Sequence, residues 1–326
     1  MILFLFLDGV GIGDDDPDHN PFLTAEMPVW RGLAGDAGWP TLADLAPRSS
    51  AHATLIAADA TLGVAGTPQS GTGTTALLTG VNAAAWLGKH DGPYPANALR
   101  PLLREENLLA VAHRAGQRVA FANAFPPFYL DRVARGRARR TTATQAALAT
   151  GLPLRGLEGL IAGRALSSWI THEEWRRFLP HVPEIDCDEA GRNLARLAQQ
   201  KELTLFEYFH TDHRGHRNNL PKAVTVVERL DQFLGGILSQ LDPAHSLLVM
   251  ASDHGNFEAQ HHSDHTTNPV LVTLWGQGHA ALAAQIQRIT DLARLLRAHM
   301  ALPALPPSLG GDEFNDTTRS EHAEPP

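Results

Sequence analysis

Apolar residues follow two rhythms along this chain. Short unbroken runs occur at Ile2–Leu7, Ala53–Ala58, Gln117–Asn123, Leu203–His210, Ser246–Ser252 and Pro269–Trp275. Runs of that length, bounded by Gly, Pro and polar residues, predict buried strands. Ile2–Leu7 is apolar at every position, so both its faces should be covered, near the middle of a sheet. Between the runs the apolar spacing is helical. Leu102–Ala115 is closed by Gly116, and Asp188–Gln199 and Ile286–Leu296 follow the same period. In Pro221–Leu241, residues Val226, Val227, Leu230, Phe233, Leu234, Ile237 and Leu241 form one stripe, with Pro221 near the first turn. Strand and helix in alternation predict a three-layer α/β/α fold with a mostly parallel central sheet. The rhythm lapses from Ala124 to about Glu184. Pro126-Pro127, the basic run Arg132–Arg140 and the helix-like pieces Thr142–Thr150 and Leu157–Leu179 come without a strand of comparable strength. Residues 124–186 are therefore expected to form a small helical cap inserted into a discontinuous core of residues 1–123 and 187–302. Residues 303–326, rich in Pro, Gly and charge, predict a disordered tail.

Composition narrows the function classes. With 326 residues, 43% of them hydrophobic, the chain can bury a sizeable core. Its net charge of −8 and the lack of a basic stripe argue against a nucleic-acid partner. A single cysteine, Cys187, excludes an intramolecular disulfide and fits a reducing compartment. The opening MILFLFLDG lacks a basic n-region and meets Asp8 early, and no later run reaches spanning length. The expectation is a soluble cytoplasmic protein without a membrane partner.

The candidate chemistry lies where the strands stop. Asp8 ends the first run. Asp212 and His216 follow the fourth at D-x-x-x-H spacing, Asp253 and His254 end the fifth, and His265 precedes the sixth. A lone Asp or His here would be a cap or a satisfied core residue. Three carboxylates and three imidazoles at the ends of separate strands are hard to explain as packing, because buried charge is costly unless paired or metal-bound. A mixed Asp/His set suits zinc, manganese or iron better than calcium. Six ligands exceed one tetrahedral ion, so two ions are expected. Such pairs serve in-line displacement at phosphorus.

A Gly/Thr/Ser-rich loop, Gly63–Ser70, runs into a short helix ending at Gly80. A helix start of this kind offers free N–H groups to an anion, and here it also offers hydroxyl nucleophiles. It has no Gly-Lys-Ser/Thr and is not a P-loop. GxGxG at residues 9–13, followed by Asp14-Asp15-Asp16-Pro17, is likewise no dinucleotide turn. Arg135, Arg137, Arg139 and Arg140 read first as a solvated basic face, with an anion-attracting rim as the functional alternative.

Taken together, LDGVGIG, the run Gln69–Gly80, DHRGH, SDHGN and HTTNPV resemble, in this chain order, the motifs of the alkaline phosphatase superfamily. The likeness is to its cofactor-independent phosphoglycerate mutase and phosphopentomutase branch. It covers residues 1 to about 123 and about 187 to 300. The resemblance implies two divalent ions, manganese first, with zinc or magnesium as alternatives. Asp212, His216 and His265 would hold one; Asp8, Asp253 and His254 would hold the other, with the nucleophile oxygen. Ser70 would be the nucleophile, passing through phosphoserine, with Thr72 as runner-up. His261, His262 and Asp264 would stand nearby, His262 being the alternative third histidine. The mutases carry a large phosphotransfer domain after the nucleophile helix, and segment 124–186 is much smaller. The resemblance thus implies a metal-dependent phosphoester hydrolase or phosphomutase acting on a small phosphate ester. Lys89, His90, Arg214 and Arg217 are the candidate substrate contacts. A phosphodiesterase or sulfatase on the same scaffold is the alternative, although Ser70-Gly71-Thr72-Gly73-Thr74 lacks the Pro and Arg of a sulfatase motif. A non-catalytic metal-binding protein is the reading from another class.

Overall fold

The computed structural model describes residues 1–310. Its strands are β1 (Ile2–Leu7), β2 (Arg48–Ser49), β3 (Ala53–Ala58), β4 (Val119–Phe121), β5 (Leu203–Tyr208), β6 (Leu247–Ala251) and β7 (Val270–Gly276). They form one sheet in the order β2-β3-β7-β6-β1-β5-β4. β1 pairs in parallel with β5 and β6, and β4 with β5. β7 runs antiparallel to β6 and to β3, and β2 antiparallel to β3. Two reversals in succession bring β3 back to the direction of β6, so β1, β3, β4, β5 and β6 all point the same way. The sheet is mixed and mostly parallel, with helices around it.

Alternation along β1 shows how the layers are joined. Ile2, Phe4 and Phe6 face one apolar cluster with Ala76, Leu77 and Leu78 of the helix Ser70–Thr79 and Leu292 of the helix Ile289–His299. Leu3, Leu5 and Leu7 face the other, with Leu194 of the helix Cys187–Ala198 and Phe233 of the helix Leu220–Leu238. Both faces of β1 are covered, and each buried side chain of this size contributes about 1.5–3 kcal/mol.

Several elements depart from the periodicity. Leu102–Ala115 is two helices, Arg100–Glu105 and Leu108–Arg114. Asn107 breaks the run, because its Oδ1 accepts from the Ala110 N–H and so opens a new helix. β5 stops at Tyr208, and His210–Gly215 is already helical. Leu157–Leu179 holds only the short helices Leu157–Ile161 and Glu173–Arg176. Within segment 124–186 the helix Thr142–Leu148 presents Ala143, Ala146 and Ala147 to the main core. Ala124, Leu160, Ala165, Trp175 and Val182 make a separate small cluster. Residues 303–310, expected to be disordered, include the helix Pro307–Gly310, with Leu305 and Leu309 packed against the core. The remainder of the expected tail, 311–326, lies outside the described residues. Among the described residues, no helix is long and apolar enough to cross a membrane.

Candidate metal centre and nucleophile

Parallel neighbours end at one edge, and that edge collects the candidate ligands. Asp8 follows β1 directly, and Asp253 and His254 follow β6. Because β7 is antiparallel to β6, its start returns to the same edge, and the connection 252–269 lies across it. Asp212 sits in the first turn of the helix His210–Gly215 and His216 at its C-cap. Four residues apart, they share one helical face.

The side chains converge. His216 Nε2 lies 3.4 Å from Asp212 Oδ2, and His265 Nε2 lies 3.4 Å from Asp212 Oδ1. The two imidazole Nε2 atoms are 3.3 Å apart. Asp8 Oδ1 is 3.3 Å and Asp253 Oδ1 3.7 Å from His254 Nε2. Among the described residues, two groups have ligand atoms all within 4.8 Å of one another: Asp212, His216 and His265, and Asp8, Asp212 and His254. Asp212 thus stands in both groups, where the resemblance implied Asp212 for one ion and Asp8 with Asp253 for the other. Asp253, fully buried, flanks the second.

The tautomers suit metal ions. His216 Nδ1 meets the Ser263 carbonyl at 2.6 Å, His265 Nδ1 the Pro68 carbonyl at 2.9 Å, and His254 Nδ1 the Gly255 carbonyl at 3.2 Å. A carbonyl can only accept, so each Nδ1 carries a hydrogen and each Nε2 is the nitrogen that faces the cluster, open to a metal once it gives up its own proton. Asp8 Oδ1 is buried and accepts no hydrogen bond. An orphaned carboxylate oxygen beside convergent imidazole nitrogens fits a divalent cation.

The charges agree with that fit. Burial first, then the Asp253 and Asp212 carboxylates, push the Asp8 carboxyl well above its ordinary range. Burial alone would lower the His254 imidazole; the Asp253 and Asp8 carboxylates outweigh it and raise it to about 10. Burial works against the Asp212 carboxylate, yet hydrogen bonds from His216 and His265 hold it below the ordinary range. A metal-free site keeps protons where positive charge is wanted.

Ser70 opens the helix Ser70–Thr79, and its Oγ lies 3.0 Å from His254 Nε2. Thr72 is placed differently. Its buried hydroxyl donates to the Gln69 carbonyl at 3.1 Å and accepts from the Asp91 N–H at 3.2 Å. Gly71 is required here, since a Cβ would come within 2.6 Å of the Asp91 and Tyr94 carbonyls. Gly73 is likewise required, because a Cβ would meet the Asp253 carbonyl at 2.5 Å. The helix can therefore press its first turn onto the edge.

The weaker candidates scatter. Lys89 is exposed and pairs with Asp91 at 3.0 Å. His90 Nε2 meets the Val64 carbonyl at 3.2 Å. Arg214 Nε donates to His210 Nε2 at 3.0 Å, and Arg217 is exposed. His261 and Asp264 are exposed, His261 lying against the His19 ring. His262 is half-buried, with its Nδ1 unpartnered.

Sequence reasoning missed the supports. Thr74 Oγ1 donates to Asp253 Oδ2 at 2.7 Å, and Asn256 Nδ2 donates to Asp212 Oδ1 at 2.7 Å. Glu258, buried, accepts from the Gly11 and Asn256 N–H groups, the Thr266 hydroxyl and Asn268 Nδ2. It ties the β1 turn to the β6–β7 connection. The one signal for Asn256 and Glu258 is their place in the same polar loop as the ligands.

Residues 181–303 match the model of the Metalloenzyme superfamily. A 2,3-bisphosphoglycerate-independent phosphoglycerate mutase from Ruegeria pomeroyi is 34% identical over 140 residues, which is 40% of this chain and 27% of that protein. The mutase from Thiobacillus denitrificans is 33% identical over 142 residues, again 40% and 27%. The chain spans about a quarter of the length of these curated relatives. Among solved structures, the PH0037 protein from Pyrococcus horikoshii matches with a TM-score of 0.56 at 14% identity, covering 92% of this chain and 96% of that one. A magnesium-bound variant of TAB5 alkaline phosphatase matches with a TM-score of 0.53 at 10% identity, covering 93% and 98%. At these identities the likeness is one of fold.

Proposed function

We propose that this chain, a metalloenzyme of the alkaline phosphatase superfamily resembling the cofactor-independent phosphoglycerate mutases, transfers the phosphoryl group of a small phosphate ester by way of Ser70. The observation that carries the reading is the Ser70 hydroxyl, 3.0 Å from His254 Nε2 at the rim of the Asp/His cluster. Two divalent ions, manganese first, would be held by Asp212, His216 and His265 and by Asp8, His254 and Asp253, with Asp212 near both. Bound there, they would supply Lewis acidity to the phosphoryl oxygens and lower the pKa of the serine hydroxyl. The residues of the chain do the rest. Thr74 and Asn256 orient Asp253 and Asp212, and the backbone carbonyls hold each Nε2 lone pair inward. The first turn of the helix Ser70–Thr79 brings N–H groups and the positive end of its dipole to the phosphate. Ser70 Oγ forms a bond to phosphorus as the ester P–O bond breaks, the alcohol leaves with a proton, and water or a retained hydroxyl then takes the phosphoryl group from phosphoserine. Thr72, with its hydroxyl engaged elsewhere, is the weaker nucleophile. Segment 124–186 acts as a cap that bears on which ester enters.

The test is a chelator-stripped protein restored with manganese, zinc or magnesium and assayed on an aryl phosphate beside an aryl sulfate and a phosphodiester. Phosphate release should return with metal and should fall at least about a thousandfold in Ser70→Ala. Metal content, measured by elemental analysis, should stay the same in that variant. Undiminished turnover in Ser70→Ala would remove the covalent route.

A further inference from the structure

The helix His210–Gly215, which carries Asp212, has six residues, and a helix that short does not keep its shape without neighbours. Thr211 Oγ1 ties it to the Asp8 carbonyl at 2.5 Å, and Asn256 Nδ2 donates to Asp212 Oδ1 at 2.7 Å. Segment 124–186 adds Trp169. The Trp169 ring lies 4.0 Å from the His210 ring, centroid to centroid. It also meets the His213 ring at 6.1 Å and the Phe209 ring at 6.3 Å, both edge-on. His210 is buried and is held from two further directions. Arg214 Nε donates to its Nε2 at 3.0 Å, and the Tyr208 hydroxyl meets its Nδ1 at 3.3 Å.

The turn that presents Trp169 is held in a strained shape. Ile170 has φ +67°, a left-handed conformation that a β-branched residue rarely adopts. Such strain persists only where the surroundings over-determine it, and it gathers at functional sites. The surroundings can be named. The Ile170 side chain is buried in the apolar cluster of Leu194 and Phe206. Its N–H donates to the Ser167 carbonyl at 2.9 Å, and the Trp169 N–H donates to the buried Ser167 Oγ at 3.1 Å. Leu166 donates to the Ala122 carbonyl at 2.8 Å and accepts from the Ala124 N–H at 2.7 Å. Ser168 Oγ accepts from Asn123 Nδ2 at 3.0 Å. The same amide donates to the Glu207 carbonyl at 2.7 Å and accepts from the Glu207 N–H at 2.8 Å. The turn is thus fastened beside the ends of β4 and β5, and β5 leads into the helix that Trp169 touches. All this holds a ring that is itself only half-buried, so burying Trp169 does not explain it. We infer that Trp169 is a positioning residue. Through His210 it sets the helix that carries Asp212, so affinity for the ion at Asp212, His216 and His265 depends on segment 124–186. This rests on the reading of the cluster as a metal centre and gives the cap a hold on the metal as well as on the ester.

Competition between the full chain and chelators of graded strength for manganese reads this affinity without turnover. Trp169→Ala should weaken metal binding about tenfold. Trp169→Phe, which keeps a ring against His210, should recover most of the loss. In a His210→Ala background the Trp169→Ala step should cost less than about twofold, because the two side chains act in series. Phe128→Ala removes another aromatic ring of the same segment, one that is 61% exposed, and should leave the affinity unchanged. That control separates positioning from a general loosening of the cap. If Trp169→Ala fails to fold, Trp169→Leu keeps apolar bulk without the ring and should weaken binding in the same sense. Wild-type affinity in the Ala and Leu variants, or equal losses with and without His210, overturns the inference and leaves the metal reading standing. A loss in Phe128→Ala as large as in Trp169→Ala overturns it as well. A wild type that binds no manganese removes the metal reading, and this inference with it.

Discussion

At the scale of single residues, the site depends on groups that touch no substrate. Asp212 stands between the two ligand groups and has a separate neighbour for each oxygen: His216 at Oδ2, and His265 with Asn256 at Oδ1. The Asn256 amide does two things there. It points the carboxylate, and it fills hydrogen-bonding capacity that would otherwise admit water. Asn256→Ala should weaken metal binding by about 10–100-fold while leaving the ligand set intact. Titration against a competing chelator measures this. Unchanged affinity would mean that the histidines alone orient Asp212. Asp253 is held from the other side of the cluster, by the Thr74 hydroxyl and the Gly9 N–H.

At the scale of elements, the helices must come close enough to cover the face of the sheet away from Ser70. The helices Cys187–Ala198 and Leu220–Leu238 cross with almost no gap. A Cβ on Gly191 would lie 2.1 Å from the Phe233 carbonyl, and one on Gly236 would lie 2.0 Å from the Asp188 carbonyl. Both obstacles are backbone, so the helices would have to separate. Gly191→Ala should destabilise the protein by about 1–3 kcal/mol in urea unfolding. Gly32→Ala, in the helix Pro28–Ala34 with open space around it, should be neutral or stabilising by up to about 1 kcal/mol. Equal effects at the two positions would refute the contact argument. These contacts also mark where reading the sequence stops. The strands other than β2 were legible because each is a short apolar run with a polar end, and Asp8, Asp253 and His254 were legible because they are those ends; β2, only Arg48-Ser49, has no apolar run to announce it. His210 was placed in a strand because LTLFEYFH continues the run; the helix beginning there depends on the turn that carries Asp212 inward. The antiparallel course of β7 and the closeness of Gly191 to Gly236 are facts of pairing and crossing, to which local periodicity is blind. Thr74 matters through a partner far away in the chain, and Glu258 joins distant Gly11 to its own loop.

At the scale of the molecule, these proton and metal equilibria act on stability together. Without metal the fold holds protons that the unfolded chain would release. His254, surrounded by carboxylates, keeps its proton to about 10 against an ordinary 6.5. Burial raises Glu207 from 4.5 to about 7 and pushes Asp8 upwards as well. For each group the native state binds more protons than the unfolded state across the window between its two pKa values, so stability falls as pH rises through that window. For His254 the stabilisation is full below 6.5 and is lost as pH climbs through about 10. Chelated protein should therefore melt at steadily lower temperature from roughly pH 7 to pH 9, above the range in which His210, His172 and His90, lowered by burial, gain stability with pH. If the proposed ligands hold metal, it should reverse the trend at the site, taking the place of the protons on Asp8 and His254 and binding better as they leave. The increase in melting temperature on adding manganese should grow with pH over the same range, and calorimetry in buffers of different ionisation enthalpy should register proton release on binding. A chelated protein whose stability is flat or rising towards pH 9 would contradict the buried, proton-holding arrangement of Asp8 and His254. A metal-induced shift independent of pH would place the ions elsewhere on the molecule.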